Sequence, residues 1–337
     1  MIYAVWNNKG GVGKTFLTFI LAAEYAIKSP STKVVIMDLC PQANVSEMVL
    51  GGNGKGSKKL TKILDKEPRL TIGGYFDERI SSPHKVTGTE ATHLFSYREI
   101  DNSNLPTNLY LVPGDPSLEI QAQAINQIGA QTLPVNSWRN VHSWLINLIY
   151  AIKLKLDGEV VFFIDCNPSF AAYTELAILA SERLIVPCTA DGSSARAIDN
   201  LGRLIYGKKM AATYKNVNFS EKASSNGFAL PTLHIVCLNR STQWDKKASK
   251  AFKAMFDEIK KRTNDLDVSG VPFSSDNANR FVDVPDAHTV SVVCSHEGIS
   301  LTKLKMGPHT IDSEVVQVNE SPLRRYKKSI DGMIALL

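Results

Sequence analysis

The chain has 337 residues, 44% hydrophobic and 21% charged, which gives ample material for a core and excludes a largely disordered polymer. Its formal net charge of +5 and pI of about 8.8 allow contact with nucleic acid or an anionic surface without requiring either. Five cysteines (Cys40, Cys166, Cys188, Cys237 and Cys294), odd in number and never in a CxxC pair, argue against a disulfide framework or zinc site and for a reducing cytosol.

In chain order, the first element is the apolar run Ile2 to Trp6, entered without a signal-peptide pattern. Asn7-Asn8-Lys9-Gly10-Gly11-Val12-Gly13-Lys14-Thr15 follows, and then a helical run from Phe16. Strand, glycine loop and helix N-terminus are the context a phosphate loop requires. Glycines let backbone N–H groups turn toward phosphates, and the helix N-terminus adds partial positive charge. Lys14 is placed to bind the outer phosphates of ATP, and the Thr15 hydroxyl to bind Mg²⁺. The expected nucleotide contacts run through Asn8, Lys9, Gly10, Gly11, Val12, Gly13, Lys14, Thr15 and Phe16.

Val34 to Met37 is a second strand, ending in Asp38. Gly51 to Lys59 reads as a flexible basic loop, and Ser81 to Asn108 as a polar excursion from the sheet. Further strands are expected at Leu109 to Val112, Val160 to Ile164, Leu184 to Val186 and Leu233 to Leu238. Several are apolar on consecutive residues, the mark of strands buried on both faces. Such strands alternating with helical stretches predict a doubly wound, mostly parallel α/β fold. The whole chain, 1–337, reads as one domain with an insert at about 51–108. Asp165, at the end of an apolar strand, is the expected Mg²⁺-supporting carboxylate.

A Thr-x-x-Asp capping pattern at Thr242 to Asp245 opens an amphipathic helix running to Arg262. One side is apolar, and the other carries Lys246, Lys247, Lys250, Lys253, Lys260, Lys261 and Arg262. The tail has a basic stretch, Arg324 to Lys328, and then apolar residues from Ile330 to Leu337. No stretch is apolar enough, for long enough, to span a bilayer.

At Asn8-Lys9 the phosphate loop departs from the ordinary G-x-x-x-x-G-K-[ST] pattern. There it resembles the deviant phosphate-loop family that includes ParA, Soj, MinD and the nitrogenase iron protein. The resemblance implies that Lys9 reaches across a dimer interface to the partner's nucleotide. Asp38 to Asn44 resembles that family's D-x-D-P-Q-x-N segment, so Asp38 is expected to order Mg²⁺ through water or to pair with a lysine. Cys40 stands where the family carries a second aspartate, which orients or activates the attacking water. A neutral thiol is a poor substitute, and a thiolate would need a depressed pKa. Lys9, Lys14 and Asp38, with Cys40 in the aspartate's place, form the expected catalytic set. Asp165 to Ser169 resembles D-x-P-P-S, with Asn167 for the first proline. Asn239 and Arg240 lie in the segment whose asparagine reads adenine, although Asn239 is equally well a cap or turn residue.

The resemblance further implies an ATP-dependent homodimer that binds DNA without sequence preference. Lys246, Lys247, Lys250, Lys253, Lys260 and Lys261 are the expected contact face, and a ParB-like or cargo adaptor is the expected partner. The expected place is the cytoplasm, at the nucleoid. The alternatives are a nucleotide-gated module that scarcely hydrolyses ATP and a MinD-like membrane regulator. The tail is expected to pack on the protein rather than on a membrane, since its apolar positions are few. The iron-protein branch is excluded, because no cysteine sits in a cluster-ligand setting.

Overall fold

The computed structural model describes residues 1–214, 217–241, 243–244, 247–248 and 250–337. Its strands are β1 (Ile2–Val5), β2 (Lys33–Leu39), β3 (Leu109–Val112), β4 (Val160–Cys166), β5 (Arg183–Cys188), β6 (Thr232–Ser241), β7 (Gln243–Trp244), β8 (Lys247–Ala248), β9 (Phe281–Pro285), β10 (Gly307–Ile311) and β11 (Glu314–Val318). Seven of them form one sheet in the order β3-β2-β4-β1-β5-β6-β9. Every pairing in it is parallel. The α/β doubly wound fold is therefore as predicted.

Consecutive apolar residues serve two cores at once. Ile2, Ala4, Trp6, Phe162 and Ile164 enter the core on one face of the sheet. Tyr3, Val5, Val161 and Phe163 enter the core on the other. β1 lies between β4 and β5, and the chain leaves it toward β2 on one side and reaches β5 on the other. That reversal opens a crevice at the carboxyl ends of β1 and β4, where such folds take ligands.

The segment expected to be a flexible basic loop is instead the helix Gly52–Leu64. Two of its three glycines, Gly52 and Gly56, serve close packing rather than freedom. A Cβ on Gly52 would lie 1.9 Å from the carbonyl oxygen of His296, and one on Gly56 would lie 1.9 Å from that of Glu47. The helix thus rests, backbone against backbone, on the helices Asn44–Val49 and Thr289–Glu297. Exchanging glycine for alanine inside a helix normally stabilises by about 0.5–1 kcal/mol. Gly56→Ala is expected to have the opposite sign, a loss of about 1–3 kcal/mol through overpacking. Thermal unfolding reads it; an unchanged or raised midpoint would contradict the contact.

Other departures are local. The lysine-rich helix starts at Lys250 and runs to Val268, and β7 pairs with β8 in a small antiparallel ladder before it. Thr242 and Asp245, of the expected cap, lie outside the described residues. β9 carries only two buried residues, Val284 and Pro285, too weak a pattern to stand out as a strand. Within 81–108, Phe95 bridges Leu111 antiparallel at the β3 edge of the sheet. The tail packs as expected: helix Glu320–Ile334 buries Leu323, Tyr326, Ile330, Met333 and Ile334, and Asp331 pairs with Lys28 at 2.6 Å. Among the described residues, no helix is long and apolar enough to cross a membrane.

Candidate nucleotide site

The loop after β1 is held from beneath. Asn7 is buried; its Oδ1 accepts from the Lys9 N–H at 3.0 Å and its Nδ2 donates to the Pro187 carbonyl at 2.8 Å. Gly11 (φ 74°) and Gly13 (φ 82°) take left-handed conformations, which turn the chain into the helix Lys14–Lys28. No side chain caps that helix. Its first N–H groups therefore face the crevice, where an anion can take them. A Cβ on Gly10 or Gly11 would meet nothing within 4 Å, so the space in front of the loop is open. The cleft there has a volume of about 500 Å³, within the range of small-ligand sites.

Lys14 is buried, with Nζ donating to the Asn7 carbonyl at 3.1 Å and the Lys9 carbonyl at 2.9 Å. Burial lowers its pKa, against the pull of Asp165. A phosphate in the cleft would offer this ammonium a better partner than two carbonyls.

Asp38 and Asp165 sit side by side on β2 and β4, both fully buried. Asp38 is well supplied: Oδ1 accepts from the Cys40 N–H at 3.1 Å, and Oδ2 from the Ser46 N–H at 3.0 Å and hydroxyl at 2.7 Å. Burial pushes it up to about 6, and those hydrogen bonds oppose the shift. Asp165 fares worse. Oδ1 accepts from the Thr18 hydroxyl at 3.4 Å, while Oδ2 is buried with no hydrogen-bond partner. Burial first, and then the Asp38 charge, push it up to about 8, with the Thr15 hydroxyl pulling the other way. An orphaned carboxylate oxygen near a threonine hydroxyl, at the mouth of a phosphate loop, is the donor set a Mg²⁺ ion accepts. The residues therefore fit Mg²⁺: Thr15 and Asp165 would hold it, and Asp38 would brace the strand ends through Ser46.

Lys9 turns back onto its own chain. Its Nζ donates to Thr189 Oγ1 at 2.7 Å, to Ser194 Oγ at 3.3 Å and to the Asp191 carboxylate. Partial burial of Asp191 disfavours its charge, but hydrogen bonds from Lys9, Ser193, Thr189 and the Ser194 N–H outweigh this and hold the carboxyl below the usual carboxylate range.

The site has counterparts elsewhere. A family model described as an AAA domain (AAA_31) matches residues 1–219, well over half of the chain. The chain belongs to this family, and its type is that of ParA and MinD. It is 26% identical over 207 residues to the chromosome partitioning protein ParA of Myxococcus xanthus, covering 60% of this chain and 57% of that one. The chain spans about half the length of the curated relatives it matches. Among solved structures, an ATP complex of a McdA variant from Cyanothece superposes with a TM-score of 0.62 at 16% identity, over 99% of this chain and 95% of that one. A putative plasmid partition protein from Borrelia burgdorferi bound to AMPPNP gives a TM-score of 0.56 at 17% identity, over 100% and 98%. At such identities the likeness is one of fold.

In this ParA-type chain Cys40 stands where the resemblance implies an aspartate, and the structure removes one way of compensating. Burial first, and then the Asp38 charge, push the Cys40 thiol up to about 12, so it is a neutral thiol at the cleft wall rather than a thiolate. Asn239 Nδ2 donates to the Val12 carbonyl at 2.8 Å, so it braces the phosphate loop. The side chains of Arg240, Lys246, Lys247 and Lys250 lie outside the described residues. Lys253 and Lys261 are exposed about one and three turns along the helix, but Asp257 falls between them at i,i+4 spacing. Lys260 lies over the Phe256 ring, 4.6 Å from its centroid. The outer cleft wall comes from residues that sequence reasoning missed: Asn44, Glu47, Asn53, Ser291, Val292 and Ser295. Only Asn44 sits in a recognised motif; the rest are brought in by the glycine-mediated helix packing.

Proposed function

We propose that this ParA-type chain binds Mg·ATP, pairs with a second copy around two nucleotides, and in that form binds DNA without sequence preference to partition or position DNA or another cargo. The observation that carries this is the uncapped helix N-terminus behind an open glycine loop, with Lys14 below it and the unpartnered Asp165 oxygen beside Thr15. Lys14 and the loop amides bind phosphate, Thr15 and Asp165 hold Mg²⁺, and Lys9 serves the partner subunit's nucleotide once it leaves Asp191. Names among the relatives support the cargo role, since two of them are partition proteins. The chain acts as one unit over 1–337, in the cytoplasm at the nucleoid, with an adaptor of the ParB kind triggering release. The apolar face of the C-terminal helix packs on the protein, which disfavours the MinD-like membrane role.

Cys40 favours a second reading, a nucleotide-gated module that binds ATP firmly and turns it over slowly. A buried neutral thiol cannot take a proton from water or hold it by a charged hydrogen bond. Cys40→Asp is expected to raise steady-state phosphate release by about 10²-fold or more, as restoring a missing general base would. The assay is run with Mg·ATP, with and without duplex DNA. A variant no faster than the parent would show that position 40 does not limit turnover, and a fast parent enzyme would remove the second reading.

A further inference from the structure

The helix Gly52–Leu64, with sequence GNGKGSKKLTKIL, contains four lysines and no acid. Leu60 and Ile63, with Gly52 and Gly56, face the body. Lys55, Lys58 and Lys62 are exposed, and Lys66, beyond the helix end, lies between the exposed Asp65 and Glu67. Spacings of three and four residues stack Lys55, Lys58 and Lys62 along one face of the helix, over about 10 Å at 1.5 Å per residue. Lys59, on the flank, is tied to Asp101 at 3.1 Å, while Lys55, Lys58, Lys62 and Lys66 enter no ion pair among the described residues.

The other basic helix is compromised by comparison. Lys250–Val268 carries Asp257, Glu258, Asp265 and Asp267 among its cations, and Arg262 is engaged by both Asp199 and Glu258. Charge at a phosphate contact counts only when it is not already neutralised locally.

We propose that the exposed lysine face of the helix Gly52–Leu64 is the surface that meets the phosphate backbone of duplex DNA, gated by nucleotide through the cleft at its N-terminal end. The proposal rests on the nucleotide- and DNA-binding reading above. The gate is physical: Asn53 lines the cleft, and Gly52 and Gly56 lock the helix to Thr289–Glu297 and Asn44–Val49, which line it as well. A nucleotide in the cleft therefore touches the cluster that carries the lysines, and the coupling is reciprocal. An anionic membrane is the poorer occupant. The apolar residues of this helix turn inward, so no apolar face is left to enter an interface.

The test uses the full chain with Mg·ATP and a fluorescent duplex of arbitrary sequence, titrated between about 50 and 200 mM salt. The triple variant Lys55→Ala, Lys58→Ala, Lys62→Ala is expected to lose affinity by at least ~10-fold and to flatten the log–log salt slope by about 2–3. Its thermal midpoint and Mg·ATP affinity should stay at the parent values. Lys253→Ala with Lys261→Ala should bind DNA as the parent does. A triple variant with the parent's DNA affinity, or a loss confined to the Lys253/Lys261 pair, overturns this surface and leaves the reading intact. A parent chain that binds Mg·ATP but no duplex removes the DNA reading and this surface together. Lysine-dependent sedimentation with phosphatidylserine vesicles, without duplex binding, assigns the face to a membrane and overturns the proposal.

Discussion

Asp165→Asn is expected to act in opposite directions on the empty and the loaded protein. Without nucleotide, the variant should melt several degrees above the parent at pH 8. The Asp165 carboxyl titrates near 8 in the fold, through burial and the adjacent Asp38 charge, against about 4 in an unfolded chain. A folded pKa raised above the unfolded one means that the folded state holds the proton more tightly. The parent's stability should therefore fall as pH rises from about 4 to about 8 and then level off. Asparagine removes that part of the slope, so the two midpoints should converge near pH 4. With Mg²⁺ present the order reverses. Asparagine is a weak Mg²⁺ ligand, and loss of the carboxylate should cost about 100-fold in Mg-dependent ATP affinity, the upper end of what supporting-ligand losses cost metal sites. Differential scanning fluorimetry across pH, with and without Mg·ATP, reads both effects. A variant that melts below the parent at pH 8, or binds Mg·ATP as tightly, contradicts the placement of Asp165.

Lys9→Ala is expected to leave ATP binding by the single chain nearly intact while abolishing dimer formation. In the single chain Lys9 Nζ contacts Thr189, Asp191 and Ser194 rather than the open cleft. A sandwich dimer would lose two charged contacts, each worth about 1.5–3 kcal/mol, which raises the dimer dissociation constant at least ~100-fold. Asp191→Asn provides the complementary test. Asn keeps the cap that Asp191 makes to the Ser194 N–H at the start of helix Gly192–Tyr206 but removes the charge that holds Lys9. A partly exposed pair is worth about 0.2–1 kcal/mol, so releasing two lysines should tighten the dimer by about 2- to 30-fold. Sedimentation velocity with Mg·ATP measures both. An intact Lys9→Ala dimer would remove the cross-subunit role.

The parts of this molecule legible in its sequence are those where local pattern and global role coincide. Five of the six expected strands gain at most three residues on folding, because each is a continuous apolar run buried on both faces; β6 alone extends further, past Leu238 to Ser241. Strand, loop and helix around Lys14 fold as the sequence pattern predicts because Gly11 and Gly13 are needed at their left-handed φ values there. Asp165 is legible for the same reason, as a charge at the end of an apolar strand. Gly52 and Gly56 show where the reading failed. Glycine marks either freedom or close approach, and only the carbonyls of His296 and Glu47, the first of them some 240 residues away in the chain, decide for the latter. Ser291 and Ser295 were equally invisible, since a serine on a helix becomes a cleft residue only once that helix is docked. Asn239 carries an amide suited to a base, yet tertiary structure brings it to the Val12 carbonyl.

Calorimetric titration of the purified chain with ATP, with and without Mg²⁺, bears most directly on the central claim. The expected result is saturable binding of one nucleotide per chain that requires Mg²⁺ and is lost in Lys14→Ala. Absence of any ATP affinity with Mg²⁺ in excess would contradict it, and the proposed dimer and cargo role would fall with it.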